Sequence, residues 1–306
     1  MRGQTYIDGI DLYEAFGVFI TEGGYKGLAT FPALQTPKTI SWADEDGVEV
    51  DLFQPTLKSK DFQISFAAHK QQNTGGFLEL LMDKAYHDFD FRAIDRVRKL
   101  RLSAQSGLDL FNGLDTFSLQ LVDDFPWYRY SYLAPQSGQT DDGGYEIDGR
   151  NFADYGVHVL KGSLAEVEKS PAVKTNLLRT ISGQNGAIYD GENVVFQAKD
   201  VTLKCLLRAS DMREFWRNYD AFLFDLTRPG ERSLYVDGTG LEYPCYYKSN
   251  SINELSTAGK IWCEFSLVLS FISFRAGADE YILATEAGEW LTLEDEETLI
   301  DMGNGY

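Results

Sequence analysis

The tripeptide Ile7-Asp8-Gly9 near the start of the chain recurs as Ile147-Asp148-Gly149 near its middle. A few residues further on, residues 16–20 (FGVFI) recur as residues 155–159 (YGVHV). A short spacer separates these two matches in each copy. Two matches in the same order indicate a module that occurs twice in tandem.

Three further matches extend the repeat. The turn dipeptide Asp46-Gly47 in the first copy corresponds to Asn185-Gly186 in the second. Residues 61–66 and 200–205 then alternate apolar and polar side chains, as half-buried strands do. Final strands are predicted at residues 117–121 and 265–269. Five collinear matches make duplication the interpretation that we adopt.

A helix is predicted after the alternating strand of each copy. It covers residues 77–89 in the first copy. In the second copy it covers residues 212–226, with Ser210 or Asp211 as its N-cap and Pro229-Gly230 as its stop signal. The second copy is also expected to contain a longer excursion at residues 241–260, between its last strands.

These elements predict a mainly β protein of four segments. Two β-sandwich or barrel domains, each with a flanking helix, are expected at residues 1–125 and 145–275, joined by a linker at 126–144 that contains Pro, Gly and Asp turn signals. Residues 276–306 are expected to form a short acidic β extension. From Asp279 onward the chain has nine acidic residues and no basic one.

The composition excludes several functional classes. A hydrophobic fraction of 43% and an aromatic fraction of 14% favour packed cores, and a net charge of −19 disfavours binding to phosphate backbones or to anionic membranes. The N-terminus has no apolar signal core, so the protein is expected to stay in the cytoplasm where it is made. The three cysteines are widely spaced and imply neither disulfides nor a zinc site.

No catalytic, cofactor or metal site is expected. His69, His87 and His158 are far apart in the sequence, and no nucleophile elbow or phosphate-binding loop is present. The acidic run at residues 44–46 is interpreted as part of a turn, because the second copy keeps the turn at Asn185-Gly186 without the charge. The protein is therefore not expected to be an enzyme.

Four residues are expected to act in assembly. Residues 22–41 are rich in Gly, Thr and Pro and include Tyr25 and Phe31, so they form either a solvated loop or a protruding arm that meets a neighbouring subunit. Gly17 and Gly156 lie between strand-like segments, where a bulge or a close backbone approach is expected.

The module resembles the tube domain of bacteriophage tails, as found in the N-terminal domain of distal tail proteins and in tail tube proteins of long-tailed phages. The resemblance covers about residues 7–125 and 145–274 and rests on Ile-Asp-Gly, Tyr/Phe-Gly-Val, the hairpins, the helix and the closing strands. It implies six-fold rings stacked along the tail, with DNA passing through them. A distal tail protein would carry an unrelated, carbohydrate-binding-like second half, and this chain carries a second copy instead.

The resemblance implies a structural protein of the virion tail, made in the bacterial host cytoplasm, that forms a ring or tube segment near the distal end. Expected partners are other copies of the chain and other tail proteins (tube, hub and tape measure), with DNA only in transit. Two modules per chain favour a trimer with pseudo-six-fold symmetry, and a hexamer is the other possibility. The alternative function is a tail-tip module that binds a glycan or host protein, for which Trp127-Tyr128-Arg129-Tyr130 is the candidate platform.

Overall fold

The computed structural model describes residues 1–21, 23–69, 74–111, 114–139, 144–175, 177–189, 191 and 194–273. Strands make up 42% of the structure and helices 18%, so the prediction of a mainly β protein is confirmed. The acidic β extension predicted at residues 276–306 lies outside the described residues.

The first half forms one antiparallel sheet of seven strands, in the order β2-β1-β7-β8-β9-β6-β3. Strands β4 and β5 pair separately as a small hairpin. The elements of this half are β1 (Thr5–Ile7), β2 (Ile10–Asp11), α1 (Leu12–Phe16), β3 (Val18–Ile20), α2 (Lys26–Ala29), β4 (Thr39–Ile40), β5 (Glu49–Val50), β6 (Lys60–His69), α3 (Thr74–Met82), β7 (His87–Phe91), β8 (Arg96–Phe111) and β9 (Leu114–Asp123).

The second half forms another seven-stranded antiparallel sheet, in the order β11-β10-β16-β17-β18-β15-β12. Its small hairpin consists of β13 and β14. The elements of this half are β10 (Tyr145–Ile147), β11 (Arg150–Asn151), β12 (Val157–Val159), α4 (Ser163–Glu168), β13 (Leu178–Arg179), β14 (Ile188–Tyr189), β15 (Lys199–Ala209), α5 (Met212–Leu226), β16 (Arg232–Val236), β17 (Leu241–Ser256) and β18 (Ile261–Phe271).

The two sheets have the same strand order, element for element. Each is strongly curled, because the strands at its two edges are separated in sequence only by a short helical segment, α1 in the first sheet and the 3-10 turn Phe152–Tyr155 in the second. The observed order is the one that a duplicated module requires. The boundaries at residues 125, 144 and 275 stay predictions.

The repeated Ile-Asp-Gly tripeptide forms the turn between the first two strands of each half. Asp8 and Gly9 have φ angles of 52° and 84°, and Asp148 and Gly149 have 50° and 73°. A two-residue hairpin with both central residues at positive φ needs residues such as Asp and Gly. The carboxylate of Asp8 also accepts a hydrogen bond from the Asp88 N–H at 3.0 Å. The Asp148 carboxylate accepts one from the Ser233 N–H at 2.9 Å.

The segment between the third strand and the long alternating strand also repeats. We call residues 23–59 the first arm and residues 162–198 the second arm. The base of each arm is held by the first lysine of the following strand. Lys60 Nζ donates to the carbonyl oxygens of Gly27 and Thr30. Lys199 Nζ donates to carbonyl oxygens at the equivalent end of the second arm, including Glu166 O at 3.2 Å.

Two predicted elements are wrong. The helix predicted at 77–89 ends at Met82, and residues 87–91 form β7, because the sequence HDFDF alternates buried and half-buried side chains with the period of a strand. The excursion predicted at 241–260 is instead mostly strand β17, which pairs with β18. Alternate apolar residues such as Tyr243 and Cys245 point into the core there.

The second predicted helix and the alternating and final strands of both copies are confirmed. Helix α5 matches the predicted 212–226, and the Asp211 side chain caps it by accepting from the N–H groups of Arg213 and Glu214. The alternating and final strands lie within β6, β9, β15 and β18. Gly47 and Gly186, at φ 70° and 86°, lie in the loops of the two small hairpins.

Gly17 and Gly156 do not form bulges. They are left-handed C-caps, at φ 67° and 69°, of α1 and of the 3-10 turn Phe152–Tyr155. Gly156 also lies in a close backbone approach, since a Cβ atom there would come 2.9 Å from Arg208 O.

A comparison of two glycines separates backbone strain from steric contact. Gly149→Ala is expected to lower the free energy of unfolding by about 1–2 kcal/mol, because it places a Cβ at positive φ in open space. Gly156→Ala should cost about 1–3 kcal/mol more, because its Cβ also meets Arg208 O. Urea denaturation measures both values. Equal losses for the two variants would show that the approach to Arg208 has no energetic importance.

Candidate assembly interface

The first arm packs on the second sheet of the same chain. Residues Ala29, Phe31 and Leu34 are only 1%, 4% and 7% exposed. They lie against β17. Its neighbour β16 pairs only with residues 241–245 of this longer strand, and the arm contacts the part of β17 that extends beyond β16. An arm was predicted to meet a neighbouring subunit, whereas the contact in the structure is with the other half of the same chain.

Backbone and side-chain hydrogen bonds fix this contact. The Leu34 N–H donates to Lys248 O at 2.9 Å. Lys248 lies at a register shift between β17 and β18, where it has no partner on β18. The Tyr247 hydroxyl donates to Pro32 O at 3.0 Å. The contact thus supplies part of the hydrogen bonding that a strand edge needs.

A buried polar network lies at the centre of the contact. Asn250 Oδ1 accepts from the Phe31 N–H at 2.7 Å, and Asn250 Nδ2 donates to the Tyr219 hydroxyl at 2.5 Å. The Tyr219 hydroxyl in turn donates to Ala29 O at 2.7 Å. Burial raises the pKa of Tyr219 well above its usual value, so this hydroxyl stays protonated. Because both amide atoms of Asn250 are paired, the network favours one relative position of arm and sheet.

An aromatic cluster extends the contact to the predicted linker. The Phe31 ring lies 4.9 Å from Trp127 and 5.9 Å from Tyr247, measured between ring centroids. Trp127 also packs on Phe224 of α5 at 5.5 Å. The stretch 127–130, interpreted from the sequence as a candidate ligand platform, thus places its tryptophan between the two halves.

The linker itself lies along α5. The Gln136 N–H donates to Asn218 Oδ1 at 2.8 Å, and Asn218 Nδ2 returns a bond to Gln136 O at 3.1 Å. Arg217 Nε donates to Ala134 O at 2.7 Å. The described part of the linker contains no helix or strand. These hydrogen bonds fix it to the second half.

A buried ion pair joins β8 to α5. Both guanidinium nitrogens of the Arg96 fork donate to the Asp220 carboxylate, with Nη2 to Oδ1 at 2.9 Å. The Arg96 guanidinium also stacks on the Trp216 ring, 4.2 Å from its centroid. Trp216 Nε1 donates to Ile94 O at 2.5 Å. A bidentate pair of this kind is specific in geometry, and removing one partner leaves a buried charge.

The tip of the first arm contacts the base of the second arm. Lys174 Nζ donates to Trp42 O and to Glu45 O, both at 2.7 Å. The Phe196 N–H donates to Asp46 Oδ1 at 2.7 Å, and the Gly47 N–H donates to Phe196 O at 2.9 Å. The acidic run at 44–46 is thus part of a docked turn, as the turn interpretation expects.

A cavity of about 850 Å³ lies beside the ion pair, between the two halves. Its lining includes Arg96, Arg213, Tyr130 and Trp216. Arg96 Nε and the Tyr130 hydroxyl are buried without a hydrogen-bond partner in the described part of the chain. Both atoms are therefore unsatisfied polar groups beside this cavity.

The four residues predicted for assembly occupy different environments. Phe31 lies in the contact between the two halves. Tyr25 is half-buried within the first half, with its ring edge-on to Phe91 at 6.3 Å, and burial raises its pKa. Gly17 and Gly156 lie at helix ends. Their contribution to contacts between chains stays a prediction.

His87 and the three cysteines are buried. His87 Nδ1 lies 2.6 Å from Asp8 Oδ2, and burial raises the pKa of the thiols of Cys205, Cys245 and Cys263. Among the described residues, no group of three or more His, Cys, Asp or Glu side chains could hold a metal ion. None of the helices in this part of the chain has the length and apolar character needed to cross a bilayer.

Sequence reasoning missed the docking of the first arm on the second sheet. A signal for it exists in the difference between the copies. The first arm has Ala29 and Phe31 where the second has Glu168 and Ser170. An arm that is more apolar than its duplicate indicates that only the first is covered within the chain.

No family model matches this chain, and no curated protein matches it. Among solved structures, it is similar to the SPP1 Dit (gp 19.1) protein, described as a paradigm of the hub adsorption apparatus in phages that infect Gram-positive bacteria. The match has 11% sequence identity and covers 88% of this chain and 98% of that chain, with a TM-score of 0.30. At this TM-score the match assigns neither a fold nor a function to the chain.

The Arg96–Asp220 pair gives a direct test of the contact between the halves. Arg96→Met is expected to lower the free energy of unfolding by about 3–5 kcal/mol, because it leaves the Asp220 carboxylate buried and unpaired. The double variant Arg96→Met, Asp220→Leu should recover most of that loss. Urea denaturation of the single and double variants measures the coupling.

The matched control for this test is Arg213→Ala. Arg213 pairs with Asp95 on the surface, where the side chains are 87% and 58% exposed, so its loss should change stability by less than about 1 kcal/mol. If Arg96→Met costs no more than Arg213→Ala, the buried pair does not join the two halves.

Proposed function

We propose that this chain is a non-enzymatic structural subunit of a phage or phage-derived tail, and that it forms a ring or tube segment near the distal end, through which DNA passes. The observation that carries the proposal is the contact between the two halves. The two sheets have the same strand order, but they are joined through different surfaces. An arm of the first half contacts a strand edge in the second half.

A contact of this kind is heterologous, so it leaves complementary surfaces unused at both ends of the pair. Repetition of such a contact generates a ring if the rotation closes and a filament if it does not. A chain with two modules contributes two positions to a ring. Three chains would therefore give six modules, the number in the six-fold rings that the resemblance to tube domains implies.

The charge of the chain supports a conduit for DNA. A net charge of −19 repels phosphates, so DNA in transit would not adhere to the wall. The proposed partners are accordingly other copies of this chain and other tail proteins, and DNA makes no specific contact.

A tail-tip binding module is the second candidate function. The cavity beside Arg96 favours it, because arginine and aromatic side chains, including Arg96, Arg213, Tyr128 and Tyr130, line it together. Donors beside an aromatic face suit the hydroxyl groups and apolar face of a sugar. In this case the chain would act as a monomer, and a glycan would stabilise it against thermal unfolding.

Mass measurement of the purified chain over a range of concentrations tests the proposal, with electron microscopy of any particle that forms. The expected particle contains three chains, with six modules around a central channel. Six chains with twelve modules would contradict the three-chain arrangement. A protein that stays a single chain at every concentration, and that glycans stabilise, would contradict the tail-tube role.

A further inference from the structure

We propose that the second arm of one chain docks on β8 of a second copy of this chain, beside its exposed residues 103–105, with the Val173 N–H donating to the Ser103 carbonyl. The inference rests on the proposed function and identifies the two surfaces through which successive chains join. It follows from the contact that the first arm already makes within the chain.

The two arms place corresponding residues in the same local structure. Leu34 bridges to Leu57, and Val173 bridges to Phe196 at the same offset along the chain. On either side of each bridge the neighbouring backbone groups are bonded in the same pattern. In the second arm the Lys174 N–H donates to Val195 O and the Gln197 N–H donates to Ala172 O, both at 2.8 Å.

That pattern directs the N–H of the bridge residue away from its own arm. The Leu34 N–H uses this direction to donate to Lys248 O. The Val173 N–H has no acceptor among the described residues, and Val173 is 41% exposed where Leu34 is 7% exposed. The second arm therefore presents the same N–H donor that the first arm uses, but this donor has no acceptor among the described residues.

The acceptor surface repeats as well. Strands β8 and β17 each have sixteen residues, and each pairs over only five of them with the strand on its outer side. The register shift between Leu102 and Ala104 in β8 corresponds to the shift between Tyr247 and Ser249 in β17. Ser103 thus occupies the position of Lys248, which accepts the bond from Leu34.

The acceptor surface of β8 is open where that of β17 is covered. Ser103, Ala104 and Gln105 are exposed, whereas Tyr247 and Asn250 are buried beneath the first arm. Within the chain the second arm does not cover these residues, since both surfaces are exposed at once. A second copy of the chain is the occupant that has the matching arm.

On both surfaces of the proposed contact, the side chains differ from those at the equivalent positions of the contact within the chain. Phe31 packs on Tyr247 in the contact within the chain. The equivalent positions are Ser170 on the second arm and Leu102 on β8, so both surfaces are smaller or more polar. Surfaces that join separate chains are exposed to water before assembly, and contacts of this kind are more polar than permanent ones.

Mixing two variants that each carry one added cysteine tests the contact. One chain carries Val173→Cys and the other carries Ser103→Cys, and a short bismaleimide is added under assembling conditions. We expect a cross-linked pair from the mixture and none from either variant alone. The native Cys205, Cys245 and Cys263 are buried with raised pKa values, so they should not react.

The matched control is a mixture of Leu34→Cys and Lys248→Cys chains. These positions meet within one chain, so this mixture should give no cross-link between chains. A chain that carries both of these cysteines should be cross-linked internally and should migrate as a single chain on a denaturing gel.

Charge substitution gives an independent measurement. Val173→Asp should weaken assembly by about a hundredfold, because the contact would bury an unpaired carboxylate. Ile188→Asp should leave assembly unchanged. Ile188 is exposed as Val173 is, at 51% and 41% respectively, but its counterpart in the first arm is Glu49, which stays exposed when that arm is docked. Thermal unfolding of both variants should match that of the unmodified chain.

The outcomes separate this inference from the proposed function. Particles that form without a Val173–Ser103 cross-link, or that tolerate Val173→Asp as well as Ile188→Asp, would overturn the docking surface and leave the structural role intact. A protein that remains a single chain throughout would overturn both.

Discussion

The arrangement of this chain depends on how the edge of one long strand is covered. Strands β17 and β8 each have sixteen residues, but β16 and β7 beside them have only five. The remaining backbone groups on that edge need partners or water. In the second sheet the first arm supplies them, and this contact also holds the two halves together. In the first sheet, Ser103, Ala104 and Gln105 at the equivalent edge are exposed.

Features that depend on local backbone chemistry could be predicted from the sequence. Asp8-Gly9 and Asp148-Gly149 need positive φ angles, and so they mark the same hairpin in both halves. Helix α5 has a capping aspartate, Asp211, and was predicted at its observed bounds. The period-two pattern of β6 and β15 places these strands at the predicted positions. Each of these signals lies within a few residues of the element that it specifies.

Features that depend on contacts between distant residues could not be predicted. The run 77–89 joins a helical stretch to the alternating residues of β7, and the point at which the helix ends depends on the pairing of β7 with β1 and β8. The docking of Phe31 on Asn250 joins residues more than two hundred positions apart. No local pattern identifies that partner. Ala29 and Glu168 lie at equivalent positions, and the apolar residue is the one that the contact covers. This difference can be interpreted only when the docking geometry is known.

The central claim is that one docking geometry is used twice, once within the chain and once between chains. Amide hydrogen exchange at Leu34 and Val173 tests it most directly, because these two N–H groups occupy equivalent positions. We expect the Leu34 amide to be protected in the single chain and in the assembled particle, and the Val173 amide to exchange rapidly in the single chain and become protected on assembly. Equal exchange of the Val173 amide in the two states would contradict the account.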